Sequence, residues 1–375
     1  MIYLDNAATT KPDKEFLAKA ERYNQENFFN PSALYRGGLS NAKDIKDAKN
    51  VILNCLGASP LDYEVVFTSG GTESDNAAIF CSVKRGVFVT DKGEHSAVYR
   101  CFKELKNRGF DVNFISLNKD GSVNTEELYE FVAKNKTDFV SIVHVNNETG
   151  AINDVNAISS ELKRINPDIV FHTDGVQSFG KIPYSLSKNI DFYSLSAHKI
   201  NGLKGVGALI KKRKIPFSPF IFGGGQENDM RSGTENVFGI KVLEFAAKKK
   251  YENIRENYSK VLEFNDYLRK NVDLNNIKII SSEKGSPYIL SLSAEGLKGE
   301  VVMHALETDG IIVGNGSACS SRARFSRVLE ACGYNEKVLD GVIRVSFSSE
   351  NTMEEIKVFT EDLNRTVKKY KGIMG

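Results

Sequence analysis

One segment of the chain surrounds a lysine between two strand-like runs. It reads Ser196-Ala197-His198-Lys199-Ile200-Asn201-Gly202 and lies between residues 191–195 and residues 205–211. Burial between strands disfavours an ammonium ion and favours a nucleophilic amine. The alternative for an isolated lysine at a strand end is that its amine extends to water. Other parts of the chain favour the first interpretation.

An acid ends the apolar run that precedes this lysine. Residues 168–173 are mostly apolar and are followed by Asp174. The aldehyde cofactor pyridoxal phosphate (PLP) needs an amine for a Schiff base and a carboxylate on its ring nitrogen. Lys199 and Asp174 supply these two groups. For Asp174 alone, a loop or capping acid is the ordinary alternative.

A glycine pair follows a third strand-like run, at residues 64–68. Gly70 and Gly71 let the backbone approach an anion, and Thr72 adds a hydroxyl at the start of a predicted helix. A helix N-terminus of this kind binds phosphate. An ordinary strand-to-helix turn with a threonine cap is the alternative for this motif alone.

Composition excludes several classes of protein. The chain has 375 residues, 41% hydrophobic and 26% charged, with a net charge of +2. The small net charge does not indicate nucleic acid as a partner, and no apolar stretch approaches a membrane span. Five cysteines without paired spacing indicate no disulfide framework, and the five histidines show no metal-ligand spacing. We therefore expect a cytoplasmic protein without a metal, and we interpret the basic runs at residues 211–214 and 248–250 as solvated.

Strands and helices alternate over the first two thirds of the chain. This order predicts an α/β fold with a mostly parallel seven-stranded sheet and functional loops at the carboxyl ends of its strands. We predict a large α/β domain at residues 15–250 and a small α+β domain formed by residues 1–14 and 251–375. The predicted strands of the sheet are residues 64–68, 86–90, 112–116, 138–145, 168–173, 191–195 and 205–211.

The small unit is predicted from a change of pattern near residue 251. A long polar helix at about residues 249–271 leads into it, and further helices are expected near residues 298–308 and 351–369. Its predicted strands are residues 277–280, 288–292, 310–313 and 343–347.

The ordered set of motifs resembles the cysteine desulfurases of the NifS/IscS type, a branch of the class V aminotransferase-like PLP enzymes of fold type I. The resemblance covers nearly the whole chain. Tyr35 and Gly175 depart from the family pattern, where histidine and alanine are usual. The matching motifs are YLDNAATT at 3–10, NPS at 30–32, FTSGGTES at 67–74, EH at 94–95, VNNETG at 145–150, SAHK at 196–199, RSGT at 231–234, GSAC at 316–319 and IR at 343–344.

The resemblance implies a role for each matched residue. Lys199 would hold PLP as a Schiff base, Asp174 would pair with its ring nitrogen, and His95 would stack on the ring and move protons. Gln177 and Asn147 would bond its phenolic oxygen or guide substrate, and Arg344 would clamp the substrate carboxylate. Residues that would hold the phosphate are Gly71, Thr72, Ser196, His198 and, from the other subunit of a homodimer, Thr234.

Cys319 lies in a run of small residues that suits an exposed loop. Free cysteines are usually buried, so a free cysteine here favours function. Arg322 and Arg324 follow it and favour a thiolate. Arg322, Arg324 and Arg327 are also interpreted as exposed residues that select an acidic partner, with plain solubility as the alternative. The other four cysteines, and His144, His172 and His304, are interpreted as structural.

The resemblance implies conversion of L-cysteine to L-alanine with transfer of sulfur to Cys319 as a persulfide. The sulfur would pass to an acceptor protein in iron–sulfur cluster assembly, tRNA thiolation or cofactor thiolation. Two other hypotheses remain open: a selenocysteine lyase or small aminotransferase of the same fold, which would not need Cys319, and a non-catalytic sulfur-carrier scaffold, which would not need Lys199.

Overall fold

Two β-sheets with separate hydrophobic clusters organise the chain in the computed structural model. The structure describes residues 1–82, 85–315 and 324–374. The larger sheet has seven strands in the order β2-β8-β7-β6-β5-β3-β4, and the smaller has five in the order β1-β11-β12-β10-β9. The strands are β1 (Ile2–Leu4), β2 (Tyr63–Thr68), β3 (Val87–Asp91), β4 (Asp111–Ile115), β5 (Thr137–Ser141), β6 (Val170–Asp174), β7 (Phe192–Ser196), β8 (Gly207–Lys212), β9 (Lys278–Ile279), β10 (Ile289–Ser293), β11 (Ile311–Asn315) and β12 (Val342–Ser346).

Helices cover the sheets. They are α1 (Lys14–Glu26), α2 (Arg36–Cys55), α3 (Gly71–Ser82), α4 (Ser96–Asn107), α5 (Thr125–Lys134), α6 (Val155–Ile165), α7 (Val237–Glu252), α8 (Ile254–Asn271), α9 (Gly299–Thr308), α10 (Arg327–Ala331), α11 (Glu336–Asp340) and α12 (Met353–Met374).

The larger sheet confirms the predicted α/β fold. Every contact between neighbouring strands is parallel except those of β8, which runs antiparallel to both β2 and β7. Alternate residues of a strand point to opposite faces. Accordingly Val65 and Phe67 join the cluster that contains α1, α2, α5, α6 and α7, while Val66 joins a cluster with α3 on the other face.

The smaller sheet gathers strands from both ends of the chain. β1 pairs in parallel with β11, and α8, α9 and α12 pack their apolar residues on this sheet. The N-terminal strand β1 was not predicted, because its three residues are too few to show a pattern of alternating apolar and polar side chains. The two clusters agree with the proposed division into residues 15–250 and residues 1–14 plus 251–375, and those boundaries stay a prediction.

Two local predictions are wrong. The helix predicted at residues 249–271 is two helices, because α7 ends at Glu252 and α8 begins at Ile254. The basic run at residues 211–214 is not uniformly solvated. Lys211 is buried and its Nζ lies 3.0 Å from Glu64 Oε1, since β8 is an inner strand whose residues are covered on both faces.

Among the described residues, no helix combines the length and the apolar character that crossing a membrane requires.

Candidate active site

A cavity of about 380 Å³ lies at the carboxyl ends of the parallel strands. Residues that follow β2, β3, β6 and β7 line it together with a residue of β12 from the smaller sheet, as expected for the switch-point edge of an α/β sheet. Ten of the predicted site residues meet here: Gly71, Thr72, His95, Asn147, Asp174, Gln177, Ser196, His198, Lys199 and Arg344. The lining also includes Asp5, Ala7, Ala8 and Asp75, which the sequence analysis did not single out.

Lys199 ends a single turn of 3₁₀ helix that follows β7 directly. Its Nζ donates to the carbonyl oxygens of Ala7 and Ala8, each at 2.7 Å. The Lys199 side chain is half-buried, so it is more accessible to water than the position between two strands predicted. The N-terminal segment therefore holds the amine in the cavity by backbone carbonyls.

Asp174 ends β6 and is buried. Its Oδ1 accepts a hydrogen bond of 2.9 Å from the backbone N–H of Val176. Burial, together with the nearby charge of Asp75, raises the pKa of Asp174 to about 7. No lysine or arginine among the described residues forms an ion pair with this carboxylate. A cationic N–H group in the cavity would supply the missing countercharge.

Asp75 lies on α3, one turn after Thr72, and is a site residue that sequence reasoning missed. It is 1% exposed, and burial raises its pKa to about 7. In the part of the chain that the structure describes, its Oδ1 has no hydrogen-bond partner, and it lies 3.5 Å from His172 Nε2. The sequence feature that could have identified Asp75 is its i, i+3 spacing from Thr72, which puts both side chains on one helix face.

His172 is buried beneath the cavity rather than in its lining. Its Nδ1 lies 2.9 Å from Ser141 Oγ and its Nε2 lies 3.0 Å from Ser194 Oγ. Burial lowers the pKa of His172 to about 4. A neutral ring with two hydroxyl partners agrees with the structural interpretation of this histidine.

His95 is the N-cap of α4. Its Nδ1 accepts a hydrogen bond of 3.2 Å from the backbone N–H of Ala97. Because Nδ1 is an acceptor, the proton of the neutral ring resides on Nε2. Burial lowers the pKa of His95 to about 4, helped by the positive charges of Lys199 and Arg327. The ring is therefore a fixed neutral donor and a weak base.

The N-terminus of α3 forms an anion-binding end of the cavity. Gly71 begins the helix and Thr72 follows, and both line the cavity with Ser196 and His198. His198 Nδ1 lies 3.1 Å from Thr9 Oγ1. Free N–H groups at a helix start attract phosphate oxygens. A side chain at position 71 would crowd this end, since its Cβ would lie 2.7 Å from Val176 Cγ2.

Arg344 extends from β12 of the smaller sheet into the cavity and is buried. Its Nη2 lies 2.8 Å from Asp5 Oδ1, and its Nη1 donates to the carbonyl oxygen of Asn147 at 3.0 Å. Its Nε is buried and has no hydrogen-bond partner among the described residues. An arginine that is held on two sides and has one unsatisfied N–H is suited to bind a ligand carboxylate.

Gly175, a departure from the family pattern, has a physical reason. A Cβ at this position would lie 2.0 Å from Cζ of Tyr193, so the tyrosine ring fills the space of an alanine methyl group. The Tyr193 hydroxyl lies 2.8 Å from Ser178 Oγ. Tyr35, the other departure, is exposed and its ring lies 5.8 Å from that of Phe29.

Two predicted site residues are not brought into the cavity. Thr234 is exposed and does not line it, although Arg231 Nε in the same segment donates to Glu73 Oε1 on α3 at 2.9 Å. Cys319 and Arg322 lie outside the described residues.

The described residues on either side of Cys319 lie close to residues of the cavity or next to them in sequence. Upstream, a Cβ at Gly314 would lie 3.1 Å from Arg344 Nε, so the end of β11 lies against the guanidinium group. Downstream, Ser326 Oγ donates to the Glu148 carboxylate beside Asn147. Cys319 is five residues from Gly314, and an extended chain of that length reaches at most about 18 Å.

The expectation of three exposed arginines is wrong for Arg327. Its guanidinium donates to the backbone carbonyls of Lys92 and Glu94, and its Cζ lies 3.7 Å from the ring centroid of Tyr99. Arg324 is exposed and pairs with Asp340 at 3.1 Å. Arg327 therefore binds the loop that presents His95, and only Arg324 of the two described arginines is a surface cation.

Replacement of Arg327 by glutamine should loosen this loop. The change removes two charge-assisted hydrogen bonds and a cation–π contact, so amide hydrogen exchange at residues 92–99 should accelerate by about tenfold. Arg324→Gln is the matched control and should leave that exchange unchanged. Equal exchange in the two variants would show that the Arg327 contacts do not hold the loop.

Comparison with known proteins identifies a family and relatives to which the chain is similar. The family model for aminotransferase class-V matches residues 2–359. A protein of Methanosarcina thermophila named cysteine desulfurase IscS is 35% identical over 385 residues, which cover 99% of this chain and 93% of that protein.

Solved structures give the same result. A NifS-like protein superposes with a TM-score of 0.91 at 32% identity, covering 98% of this chain and 99% of that one. A structure described as SspA in complex with cysteine superposes with a TM-score of 0.80 at 28% identity, covering 94% of this chain and 100% of that one.

Proposed function

The chain belongs to the class-V aminotransferase family and, with its relatives, to the cysteine desulfurases of the NifS/IscS type; on this premise we propose that it uses PLP bound to Lys199 to convert L-cysteine to L-alanine. The sulfur would remain as a persulfide on Cys319 for transfer to an acceptor protein. The observation that carries this proposal is the meeting of Lys199, Asp174 and Arg344 in one cavity. The strand that leads to Cys319 lies against Arg344, because a Cβ at Gly314 would be 3.1 Å from Arg344 Nε.

The residues of the cavity fit PLP. Its volume of about 380 Å³ is that of a small-molecule site, and the α3 N-terminus suits the phosphate. No lysine or arginine of the described residues pairs with the buried Asp174 carboxylate, and a protonated ring nitrogen would provide this positive charge. When bound, PLP supplies an aldehyde for exchange with the substrate amine and a ring that accepts electrons from its Cα.

Protein groups would bind the substrate and move its protons. Arg344 Nε, which forms no hydrogen bond with the described residues, would donate to the substrate carboxylate. Lys199 Nζ would act as the base that takes the Cα proton of the substrate. His95, with its pKa lowered to about 4, is a poor acceptor at neutral pH, so we assign it orientation through stacking rather than proton transfer.

Cys319 would attack the substrate sulfur as a thiolate. A bond forms between the two sulfur atoms, the Cβ–S bond breaks, and Cβ takes a proton to become the methyl group of alanine. The other four cysteines do not suit this role. Burial raises the pKa of each of them, to about 11 for Cys81 and to about 12 for Cys55, Cys101 and Cys332, so they are thiols at neutral pH.

A homodimer is part of the proposal. Large apolar side chains are exposed in two segments, with Phe28 74% and Leu34 88% exposed in one and Phe222 83% exposed in the other. Exposed apolar groups of this size favour burial against a partner, and a second copy of the chain would provide it. Thr234, exposed in the second segment, would then reach the phosphate of the partner's cofactor.

Mixed dimers test this shared site. Thr234→Ala and Lys199→Ala protomers, combined in one dimer, would form one site with both residues and one site with neither. We expect hybrid activity of about half that of the wild type. Activity equal to the mean of the two parent homodimers would show that each chain builds its own site. Tagged protomers purified in sequence isolate the hybrid for the assay.

The relative described in complex with cysteine supports cysteine as the substrate. The acceptor protein stays open among iron–sulfur scaffolds and thiolation enzymes, and the cytoplasmic location stays a prediction. To test the proposed function, the purified protein is mixed with PLP, L-cysteine and a thiol reductant. Equal amounts of alanine and sulfide are expected. Transamination without sulfide would favour the aminotransferase alternative.

A further inference from the structure

Lys181 is a buried lysine that the proposed reaction does not use. It is 6% exposed, and no carboxylate in the described part of the chain forms an ion pair with it. Burial holds its pKa well below the ordinary value, and the charges of Lys199 and Lys250 lower it further. A lysine buried without an acid is costly to fold, so a specific contact must explain its position.

That contact is the side-chain amide of Gln177, four residues earlier in the chain. Lys181 Nζ donates to Gln177 Oε1 at 2.7 Å. At the other end of the amide, Gln177 Nε2 donates to the carbonyl oxygen of Ala7 at 2.8 Å. The same carbonyl accepts from Lys199 Nζ at 2.7 Å. A continuous set of hydrogen bonds therefore joins the buried amine to the site lysine.

The chemistry of the two partners fixes which way the amide points. The Ala7 carbonyl only accepts, so it requires the NH₂ end of Gln177, while an amine donates in either charge state and satisfies the oxygen end. Both contacts are buried, so a reversed amide would set its oxygen against the Ala7 carbonyl oxygen, and a charged Lys181 amine would face the amide NH₂. Gln177 Nε2 carries two N–H bonds, and one of them donates to the Ala7 carbonyl oxygen. The second N–H is available to the cavity that Gln177 lines.

We propose that Lys181 is a positioning residue: its amine fixes the Gln177 amide so that an N–H, and not a carbonyl oxygen, serves the phenolic oxygen of the cofactor. The inference rests on the proposed function, because it needs PLP in the cavity. A donated N–H stabilises the anionic form of that oxygen. A carbonyl oxygen in its place would repel the anion.

The test compares the buried Lys181 with the half-buried Lys250, which line one small cavity of about 10 Å³ together with Lys199. Lys181→Met removes the donor to Gln177. Lys250→Met is the matched control, because Lys250 Nζ lies 3.3 Å from Ser349 Oγ and has no bond to Gln177. The readouts are PLP affinity and the pH midpoint of the bound cofactor's absorbance change. For Lys181→Met we expect affinity weaker by about tenfold and a midpoint higher by about 0.5–1 unit.

A double-mutant cycle separates positioning from general stability. In a Gln177→Met background, Lys181→Met should move the midpoint no further, since no amide remains to orient. Lys181→Arg, which keeps a donor, should restore much of the wild-type midpoint and also covers the case that Lys181→Met fails to fold. Unchanged midpoints in both Lys181 variants, or an equal shift in Lys250→Met, would overturn the inference. A wild-type protein that binds no PLP would overturn the proposed function instead.

Discussion

Lys199→Ala is expected to abolish desulfuration, with a loss of at least about a thousandfold in turnover. Among the described residues no other lysine lines this cavity, and the nearby buried Lys181 is bonded to Gln177. The variant should also lack the visible absorbance of the covalently held cofactor. Lys204→Ala, a change to an exposed lysine five residues further on, is the control and should retain full activity.

Borohydride reduction gives the same prediction a chemical test. Reduction of the wild-type protein with PLP should fix the cofactor permanently to the peptide that contains Lys199. Peptide mass spectrometry identifies the modified lysine. Labelling of another lysine, or substantial activity in Lys199→Ala, would remove Lys199 from its assigned role and would favour the non-catalytic sulfur-carrier scaffold.

Cys319→Ser is the second change with a large expected effect. The serine variant should bind PLP, and L-cysteine should still alter the cofactor absorbance, because Lys199, Asp174 and Arg344 are untouched. Sulfide and alanine production should fall by at least about a hundredfold, since a hydroxyl is a poor nucleophile toward sulfur. Cys55→Ser, which changes a half-buried cysteine with a pKa raised to about 12, is the control.

The two outcomes for Cys319→Ser distinguish enzymes of one fold. A selenocysteine lyase or a small aminotransferase would not need this thiol for turnover of its own substrate. Full release of alanine from L-cysteine by Cys319→Ser would therefore move the protein to that group, while leaving the assignments of Lys199 and Asp174 intact.

Patterns local in sequence predicted the larger sheet and most of its cavity. The seven strands were predicted because buried β-branched runs between helices carry their own signal. Asp174 ends such a strand, and Lys199 and His95 lie shortly after one. The end of the strand predicted at residues 138–145 was placed too late. β5 ends at Ser141, although the backbone N–H groups of Ile142 and His144 still donate to the carbonyl oxygens of His172 and Asp174 in β6.

Features that depend on distant residues were not predicted. The pairing of Arg344 with Asp5 joins positions 339 apart, and no local pattern announces it. Arg327 follows Cys319 in a basic stretch, so its charge suggested a surface role, whereas the fold places it against the backbone carbonyls of Lys92 and Glu94. Lys211 likewise belongs to a basic run, and only the inner position of β8 shows that it is buried.

The most direct measurement follows the sulfur atom itself. The PLP-loaded protein is mixed with L-cysteine that carries labelled sulfur, without reductant or acceptor, and is digested under non-reducing conditions after one turnover. We predict one labelled sulfur per active site on the peptide that contains Cys319, with an equal amount of alanine in solution. Alanine formed without label on Cys319, or label on Cys55, Cys81, Cys101 or Cys332 instead, would contradict sulfur transfer through Cys319.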